Sequence, residues 1–177
     1  MISLGALSGA LEQGLVYAVM ALGVYITFRV LNFPDLTVDG SFPLGAAIAA
    51  RLIYTGGDPV VATLVAPVLG FVAGATTGVL NTKLKISGLL AGILTMTALY
   101  SVNLRIMGRA NIPLLRSATV LTTLTGLGVP GGCAALILFS VTALVAKLLL
   151  DAFLRTEFGL ALRATGDNEV MIRSLGV

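Results

Sequence analysis

Four stretches of this chain stay apolar for about twenty residues, the length at which an α-helix reaches across a ~30 Å hydrocarbon layer. Leu4 to Phe28 qualifies despite Glu12 and Gln13, Val60 to Leu80 and Ile86 to Leu104 carry no charge, and Cys133 to Leu154 is charged only toward its far end. Backbone placed in lipid must satisfy its own polar groups, so these segments read as membrane-spanning helices. The composition agrees: 57% of the residues are hydrophobic, 11% are charged, and the mean hydropathy is +1.03. A soluble domain carries a denser charged shell. Glu12 interrupts the first apolar run and no basic region precedes it, so that run is expected to be a retained span and not a cleaved signal peptide.

Several function classes drop out at once. The chain has no histidine and a single cysteine, Cys133, which removes the commonest metal ligand and general base and any disulfide within one chain. No cofactor or metal is expected, and no enzymatic activity. A G-x-x-x-x-G-K-[ST] phosphate loop is also missing, so nucleotide-driven work would fall to a separate subunit. The net charge of +3 comes from basic residues scattered between apolar spans, which speaks for membrane orientation and against nucleic acid.

The segment Asn32 to Tyr54 is different, because NFPDLTVDGSFPLG precedes a short apolar AAIAARLIY. Its helix is too short to cross unless it begins before Ser41, and Pro34, Gly40 and Pro43 would each interrupt regular hydrogen bonding. The expectation is an all-α, polytopic transmembrane bundle of about five membrane segments, one of them broken or re-entrant. Counting that segment as one crossing puts Arg29, Lys83, Lys85, Arg155, Arg163 and Arg173 on one side and Arg51, Arg105, Arg109 and Arg116 on the other. The positive-inside rule makes the first side cytosolic and leaves the N-terminus outside. Met107 to Gly132 reads as an external loop, and Lys147 and Asp151 are spaced to pair on one helix face.

Gly70, Gly74 and Gly78 form a continuous small-residue stripe, and Gly5 with Gly9, Gly14 with Ala18, and Gly88 with Gly92 repeat the spacing. Such faces let helix backbones approach closely, either within the chain or at a dimer seam. Asn32, Asp35, Thr37, Asp39 and Ser41 crowd polar groups between two membrane segments. Two readings stand. A discontinuous helix there would expose backbone groups to a polar solute, with the carboxylates favouring an amine-bearing group or holding the break open by Asx-type bonds; or the stretch is an ordinary polar turn. Glu12 is either a functional intramembrane carboxylate or a residue near the outer interface beside Gln13. Thr95, Thr97, Ser101 and Asn103 either line a pathway or bond between helices.

After the last span comes the charged piece RTEFGLALRATGDNEVMIRSLGV. Gly166 is placed to end a first short helix in a left-handed cap and Asp167 to cap a second. Glu169 then falls in the favourable first turn, Arg173 in the last turn and Gly176 just beyond it. The result is a rigid helix, turn, helix unit along the membrane surface.

The combination of GLVYAVMALGVYITFRVLNFPDLTVDGSFPLGAAIAA, GLLAGILTMTALYSVNLRIMG and FGLALRATGDNEVMIRSLGV resembles the permease subunits of bacterial ABC importers, in the branch of the branched-chain amino acid and ribose permeases. Within it the likeness is to the uncharacterised or aromatic amino acid permeases. PDLTVDGS is similar to the D-L-S-V-G-S segment of ribose-type permeases, and RATGDNEVMIRSLGV to their cytosolic loop with its G-x-N-E core. Asp39 before the glycine departs from the ribose pattern, so no sugar specificity is carried over.

The resemblance implies a transmembrane permease domain over residues 1–154 and a cytosolic coupling segment over 155–177, in which Gly159, Arg163, Ala164, Gly166, Asp167, Asn168, Glu169 and Gly176 engage an ATPase. It implies as partners an ABC ATPase subunit, a second permease subunit (in a homodimer or heterodimer) and an extracytoplasmic solute-binding protein, in the bacterial inner membrane. The solute would be an amino acid or related small metabolite. Family members continue for several further spans, so a chain of 177 residues is expected to be a fragment or a truncated reading frame. Two other classes fit parts of the sequence: an ion-coupled secondary transporter, to which a broken helix and Glu12 are native, and a non-transporting membrane scaffold.

Overall fold

The structure, a computed structural model, describes residues 4–114, 117–126 and 131–174. The described residues are helical and contain no strand. Among the described residues four helices are long and apolar enough to cross a membrane: Gly5–Val30, Pro59–Thr82, Gly88–Met107 and Cys133–Phe153. They leave Leu64, Phe71 and Leu149 between 66% and 78% exposed, which is tolerable only where lipid replaces water around those side chains.

The chain divides into two compact units, residues 1–33 with 129–177, and residues 34–128. In the first, α1 (Leu4–Tyr25) packs on α6 (Gly131–Phe153), and α7 (Glu157–Asp167) and α8 (Glu169–Ser174) follow. Val30, Leu150 and Leu154 form its buried core, with Leu22, Ile26 and Leu162 packed around them. The Lys147 ammonium and Asp151 carboxylate pair at 2.7 Å on an exposed face of α6, the i, i+4 pairing read from the sequence.

The end of α1 is where regular structure fails. The last turn, Ile26–Val30, is π-helical, with the Leu31 N–H donating to the Ile26 carbonyl at 2.9 Å. Thr27 Oγ1 donates back to the Val24 carbonyl at 3.1 Å, and the Phe33 N–H donates to the Thr27 carbonyl at 2.8 Å. Asn32 takes φ +52°, a left-handed conformation that asparagine tolerates better than most residues.

In the second unit α2 (Val38–Tyr54) packs on both α3 (Pro59–Thr82) and α4 (Gly88–Met107), which also touch each other. α2 does begin before Ser41, yet its 17 residues span only about 25 Å, short of a full crossing. Neither Gly40 nor Pro43 breaks it: both lie inside the helix, and the interruption falls upstream, between Leu31 and Thr37. α3 starts at an Asp58 cap, whose Oδ1 accepts from Val60 N–H at 2.8 Å, and α4 ends on Gly108 at φ +66°. The expected external loop carries a short helix, α5 (Val120–Gly126), while Arg116 and Pro130 lie outside the described residues.

The glycine stripe is not what joins this unit. A Cβ built at Gly70, Gly74 or Gly78 would meet nothing within 4 Å, and the same holds for Gly5, Gly9 and Gly14. The buried face of α3 is Ala62, Ala73 and Thr77, about a quarter turn around the helix from the stripe. Close approach happens instead at Gly45, where a Cβ would stand 3.3 Å from Ala66 Cβ, and at Gly40, where it would stand 3.0 Å from Met96 Cα.

Candidate functional site

The polar stretch after α1 is divided by its geometry. Asn32 belongs to the first unit and Asp35, Thr37, Asp39 and Ser41 to the second. Asp35 Oδ1 accepts from the Thr37 N–H at 2.8 Å, an Asx turn that launches α2. The turn lies against Gly92 of α4, where a Cβ would stand 2.8 Å from Leu36 N and 3.2 Å from Asp35 Oδ1. Asp35 thus makes the Asx-type bond that is one of the readings of this stretch. Ser41 is half-buried and its Oγ donates to the Val38 carbonyl at 3.5 Å.

Behind the turn runs a buried chain of hydroxyls. Thr37 and Thr77 Oγ1 are 2.6 Å apart, and Thr77 Oγ1 donates to Thr95 Oγ1 at 2.9 Å, which links the start of α2 to α3 and α4. Thr95 therefore bonds between helices, while Thr77 carried no signal of its own in the sequence. Interhelical bonds of this kind contribute on the order of 0.6 kcal/mol, at most about 2. Thr77→Val is expected to lower the unfolding midpoint of the purified protein slightly and to leave it folded; a midpoint equal to wild type would remove the hydroxyl chain from the account.

Asp39 goes elsewhere. It is exposed in the first turn of α2 and lines a cavity of about 350 Å³ between α2 and α4. Pro43 and Met96 give this cavity apolar walls, and Thr97, Tyr100 and Asn103 face it from α4. Asn103 is only 7% exposed; its Nδ2 donates to the Gly40 carbonyl at 3.3 Å, and its Oδ1 is buried with no partner among the described residues. Pro43 has no N–H, so α2 supplies no i+4 donor to the Asp39 carbonyl either. The cavity wall thus includes one buried side-chain acceptor, Asn103 Oδ1, without a donor among the described residues. Tyr100 and Met96 were not singled out from the sequence, since an aromatic and a methionine in an apolar span read as lipid-facing or packing residues. Glu12 sits half-buried on α1 in the other unit, with no ion-pair partner among the described residues.

The terminal segment forms the expected helix, turn, helix unit with its caps exchanged. Gly166 is not a left-handed cap: it lies inside α7, and among the described residues the positive-φ glycines are Gly56 and Gly108. Glycine stands there because a Cβ would collide with the Val30 carbonyl oxygen at the π-helical end of α1. Asn168, not Asp167, caps α8, its Oδ1 accepting from Met171 N–H at 3.0 Å. Thr156 caps α7, accepting from Gly159 N–H at 3.3 Å, and a Cβ on the buried Gly159 would strike the Phe153 carbonyl and Leu154. Arg163 is exposed and Ala164 half-buried, whereas Gly176 and the side chains of Glu169 and Arg173 lie outside the described residues. Apolar side chains face outward on this element, Phe158 at 81% and Val170 at 80% exposure above all, with Leu160 and Met171 also exposed.

Comparison with known proteins adds identity to this geometry. Residues 6–177 match the family described as the permease component of branched-chain amino acid transport systems. A tyrosine transport system permease protein of Clostridioides difficile is 46% identical over 167 residues, covering 94% of this chain and 54% of that protein. An uncharacterized protein of Rickettsia prowazekii is 40% identical over 167 residues, covering 94% of this chain and 57% of its own length. The chain spans just over half the length of these curated relatives. No solved structure matches it significantly.

Proposed function

The chain belongs to the permease family of branched-chain amino acid transport systems, and from that membership we propose that it is a transmembrane permease subunit of an ATP-driven importer for an amino acid or a related small metabolite. Aromatic amino acids are the favoured solutes, because the relative from Clostridioides difficile bears the name of a tyrosine transport permease. Residues 1–154 form the membrane part and residues 155–177 the cytosolic coupling part. The subunit works beside a second permease, a pair of ATPase subunits and an extracytoplasmic binding protein in a bacterial inner membrane.

The observation that carries this reading is the α7–α8 element. It is short, capped at Thr156 and Asn168, and offers Phe158 and Val170 outward while Gly166 is seated on the end of α1. A partner that grips the outward side chains can move the end of α1 as a rigid body, and the break at Leu31 to Thr37 lets α1 and α2 respond separately. Uptake into membrane vesicles holding the assembled transporter tests it. Accumulation of L-tyrosine or L-leucine is expected to require ATP inside the cell-facing compartment and to survive collapse of the proton and sodium gradients. Uptake that dies with those gradients while ATP remains would establish the ion-coupled alternative.

A further inference from the structure

We infer that the cavity between α2 and α4 is a recognition site for a primary ammonium group carried on an apolar or aromatic body, with Asp39 as counter-ion and Asn103 Oδ1 as acceptor. The inference rests on the permease reading and names what the pathway selects. Asn103 is more than nine-tenths buried and its amide is oriented by the bond from Nδ2 to the Gly40 carbonyl, so Oδ1 is left as an acceptor with no donor among the described residues. Leaving a buried acceptor unmade is costly, and such atoms in native proteins await a ligand or water. Asp39 lines the same cavity, and no side-chain partner for it is found among the described residues. A carboxylate and an amide oxygen together ask for a donor with positive charge and more than one N–H, which is what an ammonium supplies.

The rest of the wall selects the body attached to it. Pro43 and Met96 are apolar, and the Tyr100 ring adds an aromatic surface on which a cation or a second ring can lie. Among the described residues no basic side chain lines the cavity, so none of them there matches a carboxylate on the solute. At about 350 Å³ the space is that of a small-molecule pocket.

The probe is tyramine, which has the ammonium and the ring without a carboxylate, measured by direct binding of the labelled compound to the membrane-embedded transporter. Saturable binding is expected, displaced by L-tyrosine and not by 3-(4-hydroxyphenyl)propionate, which lacks the amine. Asp39→Asn is expected to weaken tyramine binding by about tenfold or more while the unfolding midpoint stays at the wild-type value. Asn103→Leu should weaken it as well, and because that change also removes the bond to Gly40, the exposed and isosteric Asp39→Asn variant decides. Equal displacement by the propionate, unchanged binding in Asp39→Asn, or no saturable binding would overturn the assignment. ATP-driven uptake assayed in the same vesicles separates the two readings. Uptake without amine selectivity sinks this inference alone, and amine binding without ATP-driven uptake sinks only the coupling proposal.

Discussion

Gly166→Val is expected to abolish ATP-driven uptake while the protein still inserts into the membrane. The position a Cβ would take at residue 166 is already filled by the Val30 carbonyl oxygen, with Leu31 C and Cα at 3.0 and 3.1 Å. Those are backbone atoms of the π-helical turn and of the residue after it, and cannot swing aside as a side-chain tip can. Overpacking of this kind costs about 1–3 kcal/mol, so α7 must lift from the end of α1 or drag it, and uptake should fall at least about tenfold. Gly166→Ala is expected to show an intermediate loss. Gly23→Ala is the matched control, because a Cβ there meets nothing within 4 Å. Transport by Gly166→Val at the wild-type rate, measured in vesicles with equal amounts of inserted protein, would show that the seat on α1 transmits nothing.

The second large effect concerns Gly92. A side chain there would drive into Leu36 N and Asp35 Oδ1 and so displace the Asx turn that starts α2. Gly92→Val is expected to lose about 1–3 kcal/mol of stability and to separate Thr37 from Thr77, visible as a lower unfolding midpoint and less protein in the membrane. Gly70→Ala on α3, where the space is open, should leave the midpoint unchanged. Destabilisation by Gly70→Ala would mean that the glycine stripe packs against another helix.

Much of the architecture can be read from residue order because lipid imposes a simple rule. Twenty apolar residues with no charge have few alternatives to a helix, so Val60 to Leu80 and Ile86 to Leu104 coincide with α3 and α4 to within a few residues at each end. The break before α2 was also legible, since Asn32, Pro34 and Asp35 each have a physical reason to leave the helix. Its exact place was not, because proline and glycine inside α2 are tolerated once α3 and α4 support that helix. Partners distant in sequence were the hidden part. Thr76 bonds the Val72 carbonyl of its own helix, as threonines in spans commonly do, and nothing in the letters tells it from its neighbour Thr77, which reaches α2 and α4. Gly166 has the same ambiguity: glycine suits both a left-handed cap and a close contact, and only the location of the Val30 carbonyl decides between them.

That α7 and α8 face the cytosol and meet an ATPase is open to a site-directed crosslink. Val170, 80% exposed on α8, is changed to cysteine in a Cys133→Ser background and given a thiol-linked photocrosslinker in membranes that contain the whole transport system. The expected result is labelling only from the cytosolic side and a crosslinked product with the nucleotide-hydrolysing subunit. Labelling from the periplasmic side, or a product that never contains that subunit, would contradict the proposed coupling role.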